Sequence, residues 1–168
     1  MLKINPFVKL RANKEELEGA AFGLTSGTIT TLGVLIGVFF ATESKFATIA
    51  AILIVAIADA VSDALGIYSA KETEKGVSQR AIWRVTQASF WAKFLVSAVF
   101  IIPVIFLSQL PAIVISQIAG FGLLFFLGVF VAKVRAKPPF VSAVEYVIVG
   151  LIVVFVTFLL GRFLGRLR

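Results

Sequence analysis

Residues 46–70 read FATIAAILIVAIADAVSDALGIYSA, a run of 25 residues in which Asp59 and Asp63 are the only charges. An α-helix rises about 1.5 Å per residue, so about 20 apolar residues suffice to cross the hydrocarbon core of a bilayer. This run is long enough. Four more blocks of the same kind flank it, at about Ala20 to Ala41, Gln87 to Leu107, Ala112 to Ala132 and Val141 to Leu160. The expected fold is therefore all-α: one polytopic membrane domain of five transmembrane helices spanning residues 1–168, with residues 1–19 as a cytoplasmic segment that continues into the first span.

The composition agrees. Of 168 residues, 60% are hydrophobic and the mean hydropathy is +1.03. A soluble domain is about half apolar. The net charge of +7 does not point to nucleic acid, because Lys and Arg stand at the ends of the apolar blocks, where lipid headgroups lie, and form no basic stripe. The chain has no Cys and no His. Disulfides, thiolate metal centres and imidazole catalysis are excluded, and a metal would be held by oxygen. The first apolar block is long enough to stay in the membrane, so no cleavable signal peptide is expected.

Short links join the spans. Thr42 to Lys45 and Ser108 to Pro111 read as tight hairpins, Lys71 to Thr86 as the longest, charged link, and Lys133 to Phe140 as a Pro-containing basic one. Eleven Lys and Arg fall on the side of the N-terminus and these two longer links, against Lys45, Arg162, Arg166 and Arg168 on the other. The bias of cytoplasmic loops toward positive charge places the N-terminus in the cytoplasm and the C-terminus outside. Asn13 with Glu16 fits a capping box, which predicts a helix start near Lys14. Trp83 and Trp91 are expected at the membrane interface.

Asp59 and Asp63 are the strongest functional candidates. A spacing of four puts both carboxylates on one helix face, which Ala56, Gly66 and Ala70 share, with Ser62 beside it. Each acid at depth costs at least about 2.5 kcal/mol, and the two repel each other. A cation, a proton or a basic partner must compensate them. Either Lys93 of the third span pairs with them, or they form a cation or proton site. Glu145, one turn into the fifth span, lies at a depth similar to that of Lys93, so these two are also candidates to pair with each other. Glu72 and Glu74 sit in the charged link beside Lys71 and Lys75, as a solvated face or as cytoplasmic cation collectors.

The first span carries Gly19, Gly23 and Gly27 and, further on, Gly33 and Gly37. Such rows let helix backbones approach closely, and the same face is a candidate wall of a substrate path. Thr25, Ser26, Thr28, Thr30 and Thr31 add five hydroxyls within seven residues, denser than bonding to the preceding turn requires.

Phe22-Gly23-Leu24-Thr25-Ser26-Gly27-Thr28-Ile29-Thr30-Thr31-Leu32 resembles the first span of the vacuolar iron transporter family, which reads F-G-x-x-D-G followed by small and hydroxyl residues. Ser62, Gly66 and Tyr68 resemble its second-span pattern S-M-x-x-G-E-Y, and Val149-Gly150-Leu151 with Leu160-Gly161-Arg162 resemble its last span. The resemblance implies a short prokaryotic-type member in the cell membrane: a homodimer with a cation path between protomers, lined by the first two spans. It implies export of Fe2+ or Mn2+ in exchange for protons, with the metal as transported substrate and no tightly bound cofactor. The family's first-span aspartate falls on Ser26, its second-span methionine on Asp63 and its glutamate on Ile67. Its cytoplasmic metal-binding helices do not fit in the link after the second span. The expected site is then Asp59 and Asp63, doubled across a dimer axis, with hydroxyls from Ser26 and Thr30. A transporter rather than an enzyme is expected. The alternatives are a non-transporting scaffold or accessory subunit and, further off, a lipid-modifying enzyme with a D-x-x-x-D metal pair.

Overall fold

The computed structural model describes residues 6–167, with side chains described from Lys14 onward. Among these residues the chain is helical, in the order α1 (Pro6–Thr42), α2 (Lys45–Glu72), α3 (Gln79–Val99), α4 (Ile101–Phe106), α5 (Gln109–Val134) and α6 (Pro139–Arg166). Five spans are long and apolar enough to cross a membrane, the third being α3 and α4 together. Large apolar side chains such as Ile54, Leu65, Phe126, Ile152 and Phe155 point outward all around the bundle, as an integral membrane protein requires.

The helix α1 is central and packs against α2, α3, α5 and α6. Its glycines explain how one helix serves so many neighbours. A Cβ on Gly19, Gly23 or Gly27 would meet the α3 backbone at Val85, Ser89 and Lys93 respectively. Gly33 and Gly37 instead face Thr157 of α6, and Gly161 lies against the backbone of Gly37. The two rows are thus two separate packing surfaces, and neither lines an open path. Inside a bilayer no hydrophobic effect drives helices together, so contact of this closeness is what holds them. Apolar cores fill the remaining space: Leu32, Val96 and Phe100 in one cluster, and Leu35, Ile52, Ile101, Val104, Ala112 and Ile113 in a second, toward the Thr42–Lys45 and Ser108–Pro111 hairpins.

The ends of the helices depart from the sequence reading in four places. Asn13 lies inside α1, which already runs from Pro6, so Asn13 and Glu16 do not mark a helix start; Glu16 reaches Arg84 instead, at 3.8 Å. The link expected to run to Thr86 ends at Ser78, whose hydroxyl caps α3 by accepting from the Ala81 N–H at 3.3 Å. Arg80 and Arg84 are therefore helical; polar residues at headgroup depth extend a helix without breaking it. Trp91 then lies roughly 18 Å along α3, near the middle of the third span and away from its ends where it was expected, and meets Phe90 and Phe94 edge to face. Trp83 stays near the helix start, with its ring 5.3 Å from that of Tyr68.

The fourth departure is the break in the third span. Pro103 has no N–H to give the Val99 carbonyl, so the ladder is interrupted at Phe100, whose own N–H reaches Val96 at a long 3.4 Å. The short piece beyond it is gripped from elsewhere: Lys45 Nζ donates to the carbonyls of Ile105 (2.6 Å) and Leu107 (3.2 Å). Gln109 Nε2 donates to the Glu43 carbonyl at 2.9 Å, where Glu43 turns the hairpin between α1 and α2 with φ of 50°.

Candidate cation site at mid-membrane

Asp59 is near the midpoint of α2, about 20 Å from either end. Lys93 is equally deep in the third span, and Ser26 faces them from α1. The three helices bring these side chains into one cluster. Lys93 Nζ lies 2.6 Å from Asp59 Oδ2 and 2.5 Å from Asp63 Oδ2, and it donates to Ser26 Oγ at 2.8 Å. Ser26 Oγ in turn donates to Asp63 Oδ2 at 2.7 Å. The ammonium enters from the protein interior and is almost wholly buried, its side chain only 2% exposed.

Local structure explains this geometry. Gly23 and Gly27 remove the side chains that would hold α1 off α3, so that the Lys93 stem lies directly against Gly27. The lysine then reaches past α1 to α2. The spacing of four on α2 presents the two acids one turn apart, flanking the ammonium.

The acids are not fully spent by this arrangement. Their side chains remain 33% and 22% exposed for Asp59 and Asp63. Among the described residues, only the Oδ2 atom of each is engaged, leaving both Oδ1 atoms free of hydrogen bonds. By formal charge, two aspartates against one lysine sum to −1. On the same edge of α2, Ala58, Ser62 and Gly66 are exposed and small, and nothing lies within 4 Å of where a Gly66 Cβ would be.

Of the other expected site residues, Thr30 makes no hydrogen bond to the cluster. The hydroxyls of α1 divide among several tasks: Thr25 and Thr28 donate to the carbonyls of Ala21 (2.8 Å) and Leu24 (2.7 Å), while Thr31 donates to Ser97 at 2.9 Å. Glu145 is exposed on α6 and is not the partner of Lys93, which is committed to α2; similar depth in two spans does not bring them face to face. Glu74 pairs with Lys71 at 3.0 Å, and Lys71 also reaches Glu18 of α1 at 3.3 Å. Glu72 is exposed and joins no ion pair among the described residues. None of these three acids approaches the central pair, and among the described residues no three acidic side chains gather as one ligand set.

Ser89, one turn from Lys93 on α3, belongs to the same buried polar column, with Thr86 and Ser97 above and below, and its hydroxyl has no partner. The sequence signal was available: Thr86, Ser89, Lys93 and Ser97 recur at helical spacing in an apolar span. No protein-family model and no curated protein matches the chain.

Proposed function

We propose that the chain is a proton-coupled cation transporter in which Lys93 occupies, as a tethered counter-cation, the place that the transported ion takes. The observation that carries this reading is the pairing of two acids with one buried lysine midway along the spans, with one free oxygen on each carboxyl and partial exposure of both. A charged cluster at this depth is a functional-site candidate by default, and its partner here is itself a proton carrier.

A divalent ion entering between Asp59 and Asp63 meets the Lys93 ammonium. Two positive centres cannot share the pair, so the ammonium gives up its proton as the metal binds. Two carboxylates, a divalent ion and a neutral amine sum to zero, so each ion bound releases one proton; reprotonation of Lys93 expels the ion. The neutral amine adds one nitrogen donor to the carboxylate oxygens, a set suited to Fe2+ and Mn2+. The resemblance of the first, second and last spans to the vacuolar iron transporter family supports the same substrates and export from the cytoplasm of a prokaryote, with the Lys- and Arg-rich end inside.

The exposed edge of Ala58, Ser62 and Gly66 supports a homodimer. A second copy seated there would cover two carboxylates that a lone protomer turns toward lipid, and would add two more acids across the axis.

The test is metal-driven proton movement in liposomes carrying a lumenal pH dye, over Fe2+, Mn2+, Mg2+, Ca2+ and Co2+. Asp63→Asn is expected to abolish it. Lys93→Arg keeps the positive charge but cannot release a proton, so it is expected to retain folded protein and lose proton release. Undiminished flux in both Asp59→Asn and Asp63→Asn would sink the proposal. A second reading, a non-transporting scaffold, draws on the near-complete burial of Lys93, which suits a permanent ion pair; absence of metal binding and of flux in the parent protein would favour it.

A further inference from the structure

At the Lys- and Arg-rich end, a cleft of about 850 Å3 opens between α1, α2, α5 and α6. Lys14, Lys71, Arg135 and Lys137 line it, with Glu18 as the one carboxylate. Lys71 is already held by Glu18 and Glu74, at 3.3 and 3.0 Å. Lys14, Arg135 and Lys137 join no ion pair among the described residues. The turn that carries two of them is closed by backbone hydrogen bonds. Ala136 stands between Arg135 and Lys137 with φ of 52°, and the Lys137 N–H closes the end of α5 by donating to the Ala132 carbonyl at 2.9 Å.

The walls below the cations are apolar. Phe22, Phe130 and Val134 line the cleft and are 45%, 42% and 54% exposed. The lining runs along α1 from Lys14 to Thr25, roughly 16 Å, so the cleft passes from headgroup level into the depth of the acyl chains. Its charge repels cations, which separates it from the acid pair and from any route that ions take there.

We propose that this cleft binds one anionic phospholipid, its phosphate on Lys14, Arg135 and Lys137 and an acyl chain against Phe22 and Phe130. A free phosphate would use the cations and have no need of the aromatic wall; a zwitterionic lipid would use the wall and gain little from three unpaired cations. A basic pocket between spans is the form that headgroup recognition takes in membranes. This inference stands apart from the transport reading.

The experiment is native mass spectrometry on the full-length, delipidated protein, titrated with phosphatidylglycerol, phosphatidylcholine and inorganic phosphate. One phosphatidylglycerol per chain is expected to bind, with phosphatidylcholine weaker by about tenfold or more. The Arg135→Gln/Lys137→Gln double variant is expected to weaken phosphatidylglycerol by about tenfold or more, and Phe130→Ser to weaken it while leaving the preference for the anionic lipid intact. Arg80→Gln, at the same end but outside the cleft, should change nothing. Equal weakening by Arg80→Gln would reduce the site to general surface charge and overturn the proposal. So would displacement of the lipid by millimolar phosphate, or equal affinity for phosphatidylcholine.

Discussion

Lys93→Met is expected to destabilise the protein by about 3–5 kcal/mol, the cost of leaving buried charge without its partner. Methionine keeps the stem out to the Cε position and with it the packing of Cγ against Gly27, so the loss is chiefly electrostatic. Removal of the ammonium leaves Asp59 and Asp63 one turn apart at mid-membrane with no opposite charge. The two acids are not equivalent to the lysine in this respect. Asp59→Asn leaves one carboxylate against one ammonium, a neutral pair, and its cost should be well below that of Lys93→Met. The triple variant Asp59→Asn/Asp63→Asn/Lys93→Met removes every charge together and should regain most of the lost stability, because replacing a whole buried ionic group by neutral residues of similar shape is close to neutral. The measurement is the thermal unfolding midpoint in detergent for all three variants. If Lys93→Met unfolds at the parent temperature, the cluster is not the buried ion group described above.

The second large effect is at Gly23. In an ordinary helix interior, Gly→Ala stabilises by about 0.8–1.0 kcal/mol. Gly23→Ala should do the opposite and cost about 1–3 kcal/mol, because the new methyl would run into the carbonyl of Ser89 and press on Ala92 Cβ and the Lys93 N–H, both at 3.0 Å. The obstacle is helix backbone, which cannot rotate aside as a side chain would. Moving α3 outward also draws the Lys93 stem away from α2, so the same variant should lower metal-driven proton flux. Gly122→Ala, in α5, is the control: its Cβ has nothing within 4 Å, so the variant should be as stable as the parent or slightly more so. Gly23→Ala with undiminished stability would mean that α1 and α3 do not pack this closely.

The five spans were legible because each is a long apolar block, and no soluble alternative accommodates so many. The acid pair was legible for a related reason: charges inside such a block stand out against their surroundings, and their spacing fixes a common face. Lys93 could be nominated as a partner from the sequence, but so could Glu145 as the partner of Lys93. Depth along a span is readable from residue counts, whereas which spans face each other depends on packing, here the glycine row at 19, 23 and 27. The same row shows the limit of motif reading. Gly33 and Gly37 repeat its spacing yet address α6, because the helix turns a different side to its neighbours further along. Helix ends were misjudged at Asn13 and in the link after Lys71, since charged residues that cannot enter the membrane are still free to extend a helix beyond it. The break at Phe100 had a visible cause in Pro103, hidden only by unbroken hydrophobicity.

That break has a mechanical consequence. The third span consists of two rods, and they answer to different bodies. The longer rod, α3, packs on the central helix along its glycines and carries the lysine. The shorter rod, α4, is clasped by the first turn of α2 through Lys45. Motion of the Thr42–Lys45 hairpin therefore passes through Lys45 to this second rod and is taken up at residues 100–103, where the ladder is already interrupted, before it reaches the packed seam that holds the lysine. Hydrogen exchange should register this first at the amides of residues 100–102, ahead of those in the packed seam below.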